Sequence, residues 1–124
     1  SLIDDYVARG DADPGRIYIF GGSMGGSGTW GMVSAYPNLF AAAMPVAGNP
    51  SKCDAANVAA TPILTVMGTA DEIMDIDTVV DFCNLLVLSG NDNRLEIEDG
   101  WTHETTCIES YTTLRLDWIF SHHK

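Results

Sequence analysis

Four short apolar runs alternate with segments of helical periodicity, and this alternation limits the fold more than any other feature of the chain. The predicted strands cover residues 16–20, 40–47 and 62–68, and a shorter fourth one lies around Leu95 and Ile97. The predicted helices cover residues 2–9, 25–36, 77–89 and 106–122, with one helical turn within 55–60. Because strands that alternate with helices form a parallel sheet with helices packed on its faces, the sequence predicts an α/β fold of this kind.

Three of these elements carry further expectations. The strand at 16–20 is apolar enough to be covered on both faces. Asp77 is expected to cap the helix at 77–89, and Gly90 to end it. The helix at 106–122 is amphipathic, and its inner face is expected to carry Ile108, Tyr111, Leu114, Trp118 and Ile119.

The first strand leads into a G-x-S-x-G motif, and a predicted helix follows. The motif spans residues 21–25, with Ser23 at its centre. In an open parallel sheet, ligands bind beyond the carboxyl ends of the strands. A sharp turn between small residues exposes the Ser23 hydroxyl there as a nucleophile, and the backbone N–H of Met24 becomes an oxyanion donor. A phosphate-binding loop is the alternative, but the segment lacks a P-loop lysine and the G-x-G-x-x-G spacing.

Two further polar residues follow later strands. Asp71 comes just after the third strand, in the segment MGTAD, and His103 follows the fourth strand, in DGWTH. A carboxylate at such a position can orient a histidine, which in turn accepts the proton of a serine. The alternatives are that Asp71 caps a turn and that His103 is structural. Nearby acidic residues that could replace Asp71 are Glu72, Asp75 and Asp77.

Nearly the whole chain resembles bacterial esterases and "predicted peptidases" of the α/β-hydrolase superfamily, among them the polyhydroxybutyrate-depolymerase-like and feruloyl-esterase-like groups. The segments that carry the resemblance are DPGRIYIFGGSMGGSGTW, YPNLFAAAMPVAGNP, PILTVMGTADEIM and GWTHETTC. The order Ser, Asp, His along the chain is also that of α/β-hydrolases. The resemblance implies a catalytic triad in which Ser23 is the nucleophile, Asp71 the acid and His103 the base. It also implies that Trp30 and Tyr36 are packing residues of the helix behind the nucleophile.

Two positions depart from the pattern of these esterases. The His-Gly pair that is common before the acid-bearing loop is Met67-Gly68 here, a change that should leave the chemistry unaffected. Residues 72–75 read Glu-Ile-Met-Asp and are more acidic than the usual Val-Pro type. This second departure changes one wall of the predicted pocket.

A hydrolase of this kind needs strands ahead of the nucleophile strand, and a loop among them supplies the second oxyanion donor. Residues 1–15 provide neither. We therefore expect residues 1–124 to be the C-terminal catalytic portion of a single α/β-hydrolase domain whose N-terminal strands are missing. One edge of the nucleophile strand would then be bare, and its partner would be the missing N-terminal half or another copy of the chain.

Charge and cysteine content exclude several classes of protein. Six basic residues against 17 acidic ones give a formal net charge of −11, which argues against nucleic acid and anionic membranes as partners. No apolar run approaches the roughly 20 residues of a membrane-spanning helix. Cys53, Cys83 and Cys107 are too far apart for a CxxC zinc site, and whether one disulfide forms stays open. We expect neither a metal nor an organic cofactor.

The leading functional hypothesis is a carboxylic-ester hydrolase that works through an acyl-enzyme on a small-molecule or polysaccharide-linked ester. Trp101, beside His103, is a candidate for stacking on a sugar or an aromatic acyl group, with packing as the equal alternative. A serine peptidase of the same fold is a second hypothesis, because a triad does not distinguish esters from amides. A third is a catalytically incomplete hydrolase fragment that serves as an interaction or structural domain.

Overall fold

The structure is a computed structural model that describes residues 15–123. Its strands are β1 (Tyr18–Gly22), β2 (Ala42–Val46), β3 (Ile63–Gly68) and β4 (Asn93–Glu98). Its helices are α1 (Met24–Ala35), α2 (Ala55–Val58), α3 (Ile76–Leu88), α4 (His103–Glu109) and α5 (Thr113–Phe120). The helix predicted at residues 2–9 lies outside the described residues. Within 15–123, no helix is both long and apolar enough to cross a membrane.

The four strands form one parallel sheet in the order β1-β2-β3-β4. In its register, Ile63 of β3 lies beside Ala43 of β2 and Asn93 of β4. Every residue of the two central strands, β2 and β3, is buried, as expected for parallel strands with helices on both sides. The predicted parallel sheet is confirmed. Its topology brings the carboxyl ends of β1, β3 and β4 to the same edge.

Two apolar clusters hold helices against opposite faces of the sheet. Successive side chains of a strand point to opposite faces, so Ala43 belongs to one cluster and its neighbours Ala42 and Met44 to the other. The first cluster joins the sheet to α1, α2 and α3 through Trp30, Val33, Val58, Val79, Phe82, Cys83 and Leu86. The second joins it to α4 and α5 through Cys107, Leu116, Trp118 and Ile119.

The first strand differs from its prediction in position and in burial. β1 begins two residues later than the predicted strand and extends to Gly22, so that Ser23 alone separates it from α1. None of its five residues is buried, and Phe20 is 49% exposed. The prediction that this strand is covered on both faces is therefore wrong for the part of the chain described. The physical reason is its place at the edge of the sheet, where β2 is its neighbour on one side.

The single helix predicted at 106–122 is wrong, because α4 and α5 are separate helices. Thr112 Oγ1 accepts a hydrogen bond from the N–H of Arg115 and so caps the start of a new helix. This break interrupts the helical period, and one apolar stripe cannot continue through it. Of the predicted inner face, Ile119 is fully buried, whereas Ile108 is exposed and Leu114 is 83% exposed.

Two smaller predictions also need correction. Asp75, and not Asp77, caps α3: its Oδ1 accepts the N–H of Asp77 at 3.0 Å and its Oδ2 the hydroxyl of Thr78 at 3.1 Å. Asp77 instead lies in the first turn, where a negative charge favours the helix dipole. Trp30 is fully buried as a packing residue of α1, edge-on to Phe82, whereas Tyr36 is 49% exposed at the end of α1.

Candidate active site

The turn between β1 and α1 consists of Ser23, and its backbone is strained. Its φ of 57° lies in the left-handed range that residues other than glycine rarely adopt, and its ψ is −118°. The N–H of Ser23 donates to the carbonyl oxygen of Val46 at 3.0 Å, so the end of β2 supports the turn. Strain that is held by the surrounding structure is typical of functional sites.

Close approach of α1 to the sheet depends on two glycines. A Cβ added at Gly21 would lie 2.7 Å from the carbonyl oxygen of Gly25, and one added at Gly26 would lie 2.4 Å from that of Val46. Gly25 itself has open space where a Cβ would lie. Of the two glycines in G-x-S-x-G, close packing therefore requires only Gly21, because Gly25 has room for a side chain. The close approach of α1 to β2 depends instead on Gly26.

Asp71 lies in the turn after β3, and both of its carboxylate oxygens have partners. Oδ1 accepts hydrogen bonds from the N–H groups of Ile73 and Met74, both at 2.8 Å, and Oδ2 lies 2.9 Å from Nδ1 of His103. Burial alone raises the pKa of Asp71, but hydrogen bonds from Met74, His103 and Ile73 and the charge of His103 hold the pKa below its usual value. The carboxylate is therefore ionised at neutral pH.

His103 is the first residue of α4, and its imidazole lies between Asp71 and Ser23. The side chain is 9% exposed, its Nδ1 lies 2.9 Å from Asp71 Oδ2, and its Nε2 lies 2.8 Å from Ser23 Oγ. With a carboxylate at Nδ1, the neutral ring carries its proton there and leaves Nε2 free to accept the serine proton. Thr102 caps α4 by accepting the N–H of Thr105, which fixes where the helix, and so His103, begins.

A further side chain, Thr69, joins the loops of Asp71 and His103. Its hydroxyl donates to Asp99 Oδ1 at 3.0 Å and accepts the N–H of Gly100 at 2.7 Å. Sequence reasoning missed this residue, because the contact depends on the paths of two loops. The segment MGTAD gives no signal of it.

Met24 is the first residue of α1, so its N–H belongs to the first-turn donors that have no acceptor inside the helix. It follows Ser23 directly and lies at the positive end of the helix dipole, where developing negative charge is favoured. Its side chain is largely exposed. The oxyanion role expected of the Met24 N–H stays a prediction.

Trp101 packs in the second apolar cluster. The guanidinium of Arg115 lies over its ring, 5.8 Å from the centroid, and also pairs with Glu96 at 2.7 Å and Glu98 at 2.5 Å. These contacts favour the packing interpretation of Trp101 over the stacking one. Arg115, which sequence reasoning did not identify, ties α5 to β4 and to the loop that precedes His103.

Of the remaining candidate groups, Cys107 lies against the site, where its thiol hydrogen-bonds to the backbone of Ser23. Asp75 is occupied as the cap of α3. The three cysteines are free thiols, and burial raises the pKa of each, to about 11 at Cys83. They are therefore protonated at neutral pH and poor nucleophiles. Residues 15–123 contain no group of three or more His, Cys, Asp or Glu side chains that could hold a metal ion.

A cleft of about 580 Å³ lies between α1 and the loop after β2. Its near end is Ser27, one helical turn beyond Ser23, and the N–H of Ser27 donates to the Ser23 carbonyl at 3.0 Å. Small and polar side chains predominate in its lining, which consists of Ser27, Gly31, Ser34, Ala35, Asn49, Ser51, Lys52 and Cys53. The three aligned side chains themselves lie outside this cleft.

A parallel sheet with helices on both faces and a strained serine turn after one strand defines the fold as that of an α/β-hydrolase. The chain belongs to the dienelactone hydrolase family, whose model matches residues 2–110. Over 99% of its length it superposes on the crystal structure of a thermostable esterase with a TM-score of 0.88 and 27% identity, and it covers 35% of that esterase chain. The resemblance drawn from the sequence is confirmed.

Two relatives share shorter segments with this chain. Poly(3-hydroxyalkanoate) depolymerase C of Paucimonas lemoignei is 42% identical over 52 residues, which are 42% of this chain and 13% of that protein. Acetylxylan esterase A of Emericella nidulans is 40% identical over 53 residues, 43% of this chain and 17% of that protein. The matched segments thus span only a small part of the length of these relatives.

Proposed function

We propose that this protein is a serine-dependent hydrolase of carboxylic esters that works through an acyl-enzyme. One observation carries the proposal: Asp71, His103 and Ser23 are joined in series by contacts of 2.9 and 2.8 Å. In this arrangement Ser23 is the nucleophile, His103 the general base and Asp71 the acid that orients it. The family and the ester-cleaving relatives support an ester as the bond that is broken.

The reaction has two halves, and both use the same proton acceptor. Ser23 Oγ attacks the ester carbonyl carbon while His103 Nε2 takes the hydroxyl proton. The bond to the alcohol then breaks, and the imidazolium returns the proton to the departing oxygen. Water attacks the acyl-Ser23 ester while His103 takes a proton from it; the bond to Ser23 Oγ then breaks, the imidazolium returns the proton to Oγ, and the carboxylic acid leaves. Asp71 stays ionised and stabilises the imidazolium in both halves.

The negative oxygen of each tetrahedral intermediate needs two donors in this fold. The Met24 N–H is one, and we assign the second to a segment outside residues 15–123. We further propose that residues 1–124 are the C-terminal catalytic portion of a single α/β-hydrolase domain. The edge of β1 supports this assignment, because among the described residues no strand pairs with β1 on the side away from β2.

The substrate class that suits this surface is a small-molecule ester or an ester linked to a polysaccharide. The cleft beside Ser27 offers hydroxyl and amide groups, which can hydrogen-bond to a hydroxylated alcohol. It begins about 6 Å along the α1 axis from Ser23, since four helical residues rise by about that distance. No metal or organic cofactor is needed for this chemistry.

Turnover of short-chain nitrophenyl esters, compared in Ser23→Ala and Ser89→Ala, tests the proposal. Ser89 is an exposed serine at the end of α3 and serves as the matched control. In a protein that also contains the second oxyanion donor, we expect Ser23→Ala to lower the turnover number on the order of 10⁶-fold. Ser89→Ala should keep full activity. Near-full activity in Ser23→Ala would remove Ser23 from the mechanism.

The same preparations distinguish the competing functions. Preference for peptide over ester substrates would identify a serine peptidase instead. Absence of turnover on both, together with absence of reaction with a serine-directed phosphonate, would identify a non-catalytic domain. Ester turnover that depends on Ser23 and exceeds the turnover of peptide substrates excludes both.

A further inference from the structure

The turn that precedes His103 is built around the hydroxyl of Thr69. The N–H of Trp101 approaches the carbonyl oxygen of Glu98 at 3.5 Å, so residues 98–101 form a turn, and Gly100 within it has a φ of +79°. Both central residues of this turn bind one atom: Asp99 accepts a hydrogen bond from Thr69 Oγ1 at 3.0 Å, and Gly100 donates one to it at 2.7 Å.

Backbone hydrogen bonds hold the two ends of the turn but not its middle. The N–H of Thr69 donates to the carbonyl oxygen of Glu98, and the N–H of Ala70 to that of Trp101, both at 3.0 Å. The Thr69 hydroxyl lies between these bonds. It therefore sets the position of the segment that the backbone bonds leave free.

We propose that the Thr69 hydroxyl is a positioning group for the catalytic histidine and aspartate, which holds the middle of the turn before His103 against the loop of Asp71. Asp71 follows Thr69 by two residues, and His103 follows Gly100 by three, so a shift between the loops acts directly on the 2.9 Å contact between Asp71 and His103. The inference rests on the proposed function, because it assigns Thr69 a part in that same site.

Because the turn is exposed to water, we expect a substitution at Thr69 to lower the rate through misplacement of groups and not through unsatisfied hydrogen bonds. Thr69, Asp99 and Gly100 are all exposed, so water replaces the lost hydrogen bonds after a substitution. Water satisfies the polar groups but does not hold the middle of the turn in one position. A displacement of the order of 1 Å in a catalytic group lowers the rate by up to about 100-fold.

The test compares three substitutions. Thr69→Val removes the hydroxyl and keeps the shape, whereas Thr69→Ser keeps the hydroxyl. Thr78→Val is the matched control, because the Thr78 hydroxyl donates to Asp75 at 3.1 Å at an exposed helix start remote from His103 in the chain. Ester turnover and the low-field proton resonance of His103 Nδ1–H are measured in each, at a temperature where all variants are folded.

We expect Thr69→Val to lower kcat by about 10- to 100-fold with little change in KM, because misplacement affects the reaction step more than substrate binding. The low-field resonance should broaden or disappear in this variant. Thr69→Ser and Thr78→Val should keep both the rate and the resonance. An effect on melting temperature alone, equal in Thr69→Val and Thr78→Val, would show a purely structural role and overturn the proposal.

Asp99→Ala provides a second variant, since it removes the acceptor on an exposed side chain and leaves the fold of the core untouched. A smaller loss of rate and a broadened resonance are expected, because Thr69 still accepts the Gly100 N–H. Wild-type behaviour of both Thr69→Val and Asp99→Ala would overturn the proposal. Failure of the proposed function looks different: turnover would then be insensitive to Ser23→Ala, whereas the resonance still reports on the contact between His103 and Asp71.

Discussion

Asp71 combines burial with a full negative charge, a costly arrangement unless the charged oxygens are paired. The structure pairs them with two backbone N–H groups and the imidazole of His103. The backbone donors fix the carboxylate, and the carboxylate fixes the ring. Asp71 is thus oriented by the backbone, and His103 by Asp71, so that the imidazole lies ready beside Ser23.

Asp71→Asn should make the stability of the fold less sensitive to acid. The pKa of Asp71 is lowered in the folded chain, so its carboxylate adds stability above the unfolded value of about 3.9 and loses that contribution as the pH falls through the lower folded value. Denaturant unfolding measured from about pH 5 downward should therefore show a steeper loss in the wild type than in Asp71→Asn. Parallel curves would contradict the assigned environment of Asp71.

At the scale of elements, α1 and β2 meet through a glycine, and this contact supports the nucleophile turn. Gly26→Ala would place a methyl group 2.4 Å from the Val46 carbonyl oxygen, so we expect a loss of about 1–3 kcal/mol in unfolding free energy. Gly28→Ala is the matched control, since open space surrounds that position in the same helix. It should stabilise the chain by up to about 1 kcal/mol through helix propensity. Equal effects of the two substitutions would refute this account of the packing.

The elements that sequence reasoning predicted best are those in which the apolar residue pattern agrees with the burial in the structure. β2 and β3 are apolar throughout and wholly buried, and the triad candidates follow because parallel strands end at one edge of the sheet. Prediction failed where a local cap overrode periodicity. Thr112 starts a new helix within a run whose apolar spacing reads as continuous.

Two further failures have different physical causes. Phe20 is apolar in a strand that looks buried, but exposure depends on the place of β1 at the sheet edge, which the strand sequence does not encode. Thr69 and Arg115 act through contacts between segments distant in the chain. Their residue types fit ordinary surface positions equally well.

At the scale of the whole molecule, we predict that the edge of β1 governs association in solution. Its outer backbone groups have no strand partner among residues 15–123, and unpaired edges promote association. We predict that the 124-residue chain by itself associates, and that added salt strengthens association by screening the net charge of −11. Phe20→Lys, which places a charge on the exposed edge, should weaken it. Light scattering that finds a monomer at all concentrations and salt levels would contradict this prediction.

The central claim is that His103 activates Ser23 as a nucleophile, and covalent labelling tests it most directly. The measurement is mass spectrometry of the protein after reaction with a fluorophosphonate, followed over time in the wild type and in His103→Ala. We predict one adduct per chain, located on Ser23, which forms orders of magnitude more slowly in His103→Ala. An adduct on another residue, or labelling of Ser23 at the same rate in both proteins, would contradict the claim.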